Sequence, residues 1–88
     1  MIMHLDIITP DKKIFAGEVV SVTVPGSSGQ FQVLKGHASI ISTLDNGLIT
    51  VKTAEGEHQF QAEGGVVEVL NDKIVVLVER ATVGPEAH

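Results

Sequence analysis

Apolar residues in this chain come in short runs with a period of two, and turn-forming residues interrupt every run. Val20, Val22 and Val24 alternate with Ser21 and Thr23, and Phe31 and Val33 alternate with Gln30 and Gln32. Successive strand side chains point to opposite faces, so each run offers one apolar and one polar face. The many β-branched residues suit a pleated, half-buried surface. Thr9-Pro10-Asp11, Asp45-Asn46-Gly47, Ala54-Glu55-Gly56 and Asn71-Asp72 supply residues that preset or tolerate turn dihedrals. No segment sustains the apolar spacing of an amphipathic helix, which disfavours βαβ folds. About nine short strands, with turns roughly every 8–12 residues, describe an antiparallel β-sandwich or barrel.

Individual stretches sharpen this reading. Val19–Val24 reads as one strand. Pro25, which lacks a backbone donor, is expected to close it. His58–Ala62 and Val66–Leu70 read as separate strands on either side of Gly64-Gly65. Ile74–Val78 is a continuous apolar run, too short and too β-branched for a helix, and is expected to be a strand buried on both faces. From Arg80 onward the pattern fades. The expected organisation is one sandwich domain over residues 1–80 and a loosely held tail over 81–88.

Composition narrows the function. The formal charge is −5, with six Lys plus Arg, three Phe and neither Trp nor Tyr, which argues against a nucleic-acid surface. With no cysteine, disulfides, thiolate metal sites and cysteine nucleophiles are excluded. No apolar run approaches the ~18–20 residues of a membrane-spanning helix. The first residues lack the charged and apolar regions of a signal peptide, so a soluble chain is expected.

Pro25–Ser39 (P-G-S-S-G-Q-F-Q-V-L-K-G-H-A-S) stands apart, with three glycines and a histidine over a length that exceeds a simple hairpin. Gly26, Gly29 and Gly36 allow sharp turns. The stretch has neither of the glycine patterns that cradle phosphates. His4, His37, His58 and His88 show no metal-ligand spacing. His4 and His58 are expected on strand surfaces, Glu68 on a wet face, and His37 in a contact role or bonded to loop carbonyls. No G-x-S-x-G elbow orders Ser, His and Asp into a triad. No catalytic, cofactor-binding or metal-ligating residue is therefore expected. An alternative is a lipoyl- or biotinyl-carrier sandwich with Lys73, beside the Asn71-Asp72 tip, as attachment site.

The ordered set L-D-I-I-T-P (Leu5–Pro10), V-x-V-P-G-x-x-G (Val22–Gly29), G-H-A (Gly36–Ala38), G-x-I-x-V (Gly47–Val51), G-G-V-V-E-V (Gly64–Val69) and K-I-V-V-L-V (Lys73–Val78) resembles the N-terminal domain of the ε subunits of F-type ATP synthases. The resemblance covers nearly the whole chain. It implies an all-β antiparallel sandwich of about ten short strands in the rotary central stalk. Such a domain binds the γ subunit and the c-ring, and couples proton-driven rotation to ATP synthesis without chemistry of its own. It further implies a peripheral place at the cytoplasmic face of the bacterial plasma membrane, with Gln30, Phe31, Gln32 and His37 as partner-binding residues and Gly26, Gly29 and Gly36 shaping their loop. Long relatives carry a C-terminal helical hairpin that restrains hydrolysis and in some cases binds ATP. This chain is expected to be a short form or a truncated piece lacking both properties. It departs from the family pattern at Gln30, usually acidic, at Ser39, usually proline, and at Glu63, usually serine.

Overall fold

The computed structural model describes residues 3–84, and every regular element among them is a strand. In chain order these are β1 (Met3–Ile8), β2 (Lys13–Val19), β3 (Ser21–Gly26), β4 (Gly29–Leu34), β5 (Ile40–Leu44), β6 (Gly47–Thr53), β7 (Gly56–Leu70) and β8 (Lys73–Val83). Their pairings form one continuous sheet folded over on itself. In one layer β4, β3, β6, the first half of β7 and the last part of β8 lie side by side. In the other, β5, the second half of β7, the first half of β8, β1 and β2 follow one another. All pairs are antiparallel except β1 with β8. The expected ten strands thus become eight, because β7 and β8 each serve both layers.

The core between the layers is aliphatic. Leu5 and Ile7 of β1, Val22 and Val24 of β3, Ile49 and Val51 of β6, Val67 and Val69 of β7 and Ile74 and Val76 of β8 are buried together. Phe15 packs edge-on against Phe60, with ring centroids 5.9 Å apart. Burying one such side chain contributes about 1.5–3 kcal/mol.

Three expectations are corrected by geometry. Val19–Val24 is not one strand, because the chain turns a corner at Val20. Val19 and Val22 are both fully buried while Val20 is 45% exposed, which one straight strand of period two cannot achieve. Ile74–Val78 is buried on one face only. Ile74, Val76 and Val78 point inward, but Leu77 is 46% exposed and lies on the outer face. The sandwich also extends past residue 80, since Ala81, Thr82 and Val83 pair with Ala62, Gln61 and Phe60. These residues lack an alternating pattern but complete a ladder. Residues 85–88 of the expected tail, with His88, lie outside the described residues.

β7 can serve both layers because of Gly64-Gly65. Inward-facing residues are even-numbered before the pair (Phe60, Ala62) and odd-numbered after it (Val67, Val69). β8 changes phase at the same level, from Val78 to the partly buried Ala81. Gly65 has φ +154°, and a Cβ there would collide with the Leu77 carbonyl oxygen and stand 2.8 Å from Val78 Cα. At Gly64 (φ +50°) the nearest atom to such a Cβ is 3.9 Å away.

The β7–β8 connection is a two-residue turn in which both central residues have positive φ, Asn71 at 50° and Asp72 at 64°. Asn and Asp tolerate this conformation better than other side chains. The Asp72 carboxylate accepts from Lys35 Nζ at 2.6 Å and from Gly36 N at 3.1 Å. These contacts, the Lys35 hydrogen bond foremost, hold its carboxyl below the ordinary value of 3.8. A lowered native pKa means the contact stabilises the fold above the ordinary carboxylate range and is lost as pH falls through the native pKa.

Two outcomes follow. Gly65→Ala should cost about 3–5 kcal/mol through overlap and backbone strain, whereas Gly64→Ala should cost about 1 kcal/mol. At about 4–8 °C per kcal/mol for a domain of this size, thermal melts separate the two, and equal melting temperatures would contradict the bend described. In an NMR titration, the Asp72 carboxyl should show a midpoint below 3.8, moving toward that value in Lys35→Met. A wild-type midpoint at or above it refutes the charge contact.

Candidate functional site

The stretch Pro25–Ser39 is mostly strand. β3 runs on through Pro25, which pairs with Gln30, and its carbonyl accepts from Asp45 N at 2.8 Å. The expectation that Pro25 closes the strand fails because this position needs its acceptor and not a donor. Ser27-Ser28 then form a two-residue turn. Ser27 N donates to Thr43 O at 2.9 Å, and Thr43 Oγ1 donates to Ser27 Oγ at 2.9 Å, so the turn is fastened to β5. β4 follows, and Lys35-Gly36 turns the chain toward β5.

The three glycines do different work. Gly29 (φ +134°) and Gly36 (φ +85°) occupy backbone conformations that side chains resist, with open space around them. Gly26 has no positive φ. It is needed for room, since a Cβ there would stand 2.7 Å from Gly29 O and 2.8 Å from Phe31 Cε1. Its absence lets the Phe31 ring lie across the hairpin.

These features shape an open cleft of about 490 Å³, lined among others by Gln30, Phe31, His37, Ile40, Ile41 and Ser42. Of the four partner-binding residues expected from sequence, the structure brings three together here. Gln32 does not line the cleft: it is exposed on β4, two residues further from the Ser27-Ser28 turn than Gln30. The Phe31 and His37 rings sit 6.3 Å apart, tilted by 32°. His37 Nδ1 donates to Ala38 O at 2.7 Å. A carbonyl only accepts, so Nδ1 carries the hydrogen and the neutral ring keeps Nε2 as an acceptor. The cleft thus offers an apolar floor (Phe31, Ile40, Ile41), an amide (Gln30) and a ring acceptor. His37 is the one titratable side chain in its lining. That inventory suits a contact surface.

Beside the cleft, exposed apolar residues that sequence reasoning missed share an outer face with Glu68. Ile41 is 71% exposed, Leu70 52% and Leu77 46%. On this face Val66 pairs with Leu77 and Ile8 with Leu77. The available signal was the unbroken run Ile74–Val78: a single modest core cannot cover both sides of such a strand. His4 and His58 are exposed on strands, and Glu68 faces outward, as expected. Among the described residues no group of three or more His, Asp or Glu is placed to hold a metal. Lys73 is not at the turn tip. It is the first residue of β8, paired with Leu70 on one side and His4 on the other, which does not match the protruding lysine of a carrier.

Comparison with known proteins agrees with this geometry. Residues 2–84 match the family model described as ATP synthase, Delta/Epsilon chain, beta-sandwich domain. A relative named ATP synthase epsilon chain from Chlorobium limicola is 45% identical over 76 residues, covering 85% of this chain and 86% of that one. One from Chlorobaculum tepidum is 43% identical and covers 89% and 90%. The relative from Campylobacter jejuni (strain RM1221) is 44% identical, but this chain spans 63% of its length. Among solved structures, a chain of the Euglena gracilis mitochondrial ATP synthase (OSCP/F1/c-ring) superposes with a TM-score of 0.88 at 22% identity, covering 93% of this chain and 53% of that one. A chain of the Tetrahymena thermophila mitochondrial ATP synthase (central stalk/c-ring) gives 0.76 at 16% identity, covering 91% and 65%. With the family match spanning nearly every residue and relatives above 40% identity, this chain belongs to the delta/epsilon chain β-sandwich family of ATP synthases.

Proposed function

We propose that this chain is a central-stalk subunit of a rotary ATP synthase, binding the γ subunit and the c-ring so that rotation of the ring reaches the catalytic head. The carrying observation is its 43–45% identity with ATP synthase epsilon chains over most of both lengths. On this reading the chain is non-catalytic and sits peripherally at the cytoplasmic face of the bacterial plasma membrane. The contact surface is the cleft of Gln30, Phe31 and His37, continued by the exposed apolar residues Ile41, Leu70 and Leu77 of the outer face. Exposed apolar area of this kind marks a covered surface in an assembly. Gln30 offers hydrogen bonds without charge, so its partner contact depends less on salt than a carboxylate would.

Purified chain should form a complex with the γ subunit of the same organism at micromolar concentration, and should be retained on the corresponding c-ring–γ assembly. No complex in either experiment would remove the reading. Gln30→Ala with His37→Ala should weaken association about tenfold, as expected for contacts near the centre of an interface, while leaving the melting temperature within a few degrees of wild type. A large melting shift would assign both residues to folding instead.

A further inference from the structure

We propose that Asp72 is a positioning residue for the cleft: from the β7–β8 turn its carboxylate holds Lys35 and Gly36 and thereby sets the His37 ring against Phe31. Asp72 and Lys35 are 37 residues apart and belong to opposite layers, β4 ending in one and the β7–β8 turn closing the other. Their contact spans the end of the sandwich.

The anchor is fixed before it touches the loop. Asp72 sits in a two-residue turn with its own φ at 64°, and its carbonyl accepts from His4 N of β1 at 3.0 Å. The segment it holds has little else to fix it. Among the described residues, the hydrogen bonds of residues 35–39 are the two to Asp72 and two local ones, His37 N to Leu34 O at 3.0 Å and His37 Nδ1 to Ala38 O at 2.7 Å. Gly36 has no side chain to pack, stands in open space, and occupies φ +85°. A glycine so placed samples many conformations unless its N–H is held. The bond from Gly36 N to Asp72 Oδ1 holds it one residue before His37. A carboxylate acceptor makes that bond stronger than a neutral one. Lys35 Nζ, at 2.6 Å from the other oxygen, fixes the plane of the carboxylate and so the direction of the Gly36 bond.

The consequence for binding rests on the docking function proposed above: a loop ordered beforehand loses less conformational freedom when its partner arrives. The positioning itself belongs to the free chain and is measurable there. Asp72→Gly removes the carboxylate but accepts the same φ, so the turn is kept. Asp72→Asn keeps an oxygen for Gly36 N and removes the charge. Lys35→Met removes the ion pair alone. Amide exchange of Gly36 and His37, and the ring signals of His37 beside Phe31, are read by NMR. The Val67 and Val76 amides serve as core references.

In Asp72→Gly, exchange at Gly36 should rise about tenfold and the His37 ring signals should move toward those of a ring away from Phe31, with the core references unchanged. Asp72→Asn should restore most of the Gly36 protection, and Lys35→Met should lose less than Asp72→Gly. Affinity for γ should fall in Asp72→Gly and recover in Asp72→Asn. Unchanged Gly36 exchange and His37 signals in Asp72→Gly overturn the proposal. Equal acceleration at Val67 and Val76 also overturns it, because Asp72 would then serve global stability alone. If wild-type chain fails to bind γ and the c-ring, the docking function falls, while the exchange data still decide the positioning.

Discussion

The ladder between β7 and β8 is the interaction on which the rest of the sandwich depends. It runs from the pair Phe60–Val83 to the pair Leu70–Lys73 and passes from one layer to the other along its length. Every other strand except β4 pairs directly with this ribbon or with a strand that does, and β4 is joined to it through β3. β6 pairs along its first half, β5 along its second, and β1 adds to β8 in parallel. A two-layer core in so short a chain requires that some strands serve both layers, since separate strands would need more turns and more residues. Gly65 permits this at the one point where backbone passes too close to β8 for a Cβ. Ladder and glycine together decide where each inward-facing residue lies.

With the interior filled by aliphatic side chains, polar chemistry is left to the ends and edges of the sheets. The ends carry turns, and the turns are short: Ser27-Ser28, Ala54-Glu55 and Asn71-Asp72 each join two strands with two residues. Short turns leave little freedom, so a surface built at one end inherits the rigidity of the strands below it. The cleft of Gln30, Phe31 and His37 is such a surface, bounded by a fastened turn on one side and a clipped loop on the other. Rigid presentation of an apolar floor with a few polar groups suits durable attachment to another protein.

Much of this was legible in the sequence, for identifiable reasons. Period-two alternation and turn residues are local, so β1, β4, β5, β6 and the turns at Ala54-Glu55 and Asn71-Asp72 follow from them. The ordered motifs then point to the family and to its sandwich. What stayed hidden is non-local. Val20 alternates with its neighbours in sequence, yet a corner exposes it. Gly64-Gly65 reads as punctuation between two strands, although the chain remains paired straight through it. Ile74–Val78 looks buried on both faces because a run of apolar residues does not state which neighbours cover it. In the candidate site, Gln30, Phe31 and His37 are local to one glycine-rich stretch, so sequence pattern alone can single that stretch out. The carboxylate that holds this stretch, Asp72, lies in another turn altogether, and no local pattern links it to Lys35.

Three of these hidden features share one physical origin. Each is a place where the two layers meet: the Val20 corner, the Gly64-Gly65 bend, and the Lys35–Asp72 contact across the sandwich end. Strand propensity acts within a layer, so it is written residue by residue along each strand. The relation of one layer to the other depends on a few backbone positions and one ion pair, each set by its opposite number. A part that must carry force between two partners is limited by its most compliant joint. In this fold those joints are few, and they fall at the residues where sequence pattern is least informative. The mechanical quality of the sandwich is therefore decided less by its apolar runs, which many sequences could supply, than by whether these few junctions hold one geometry.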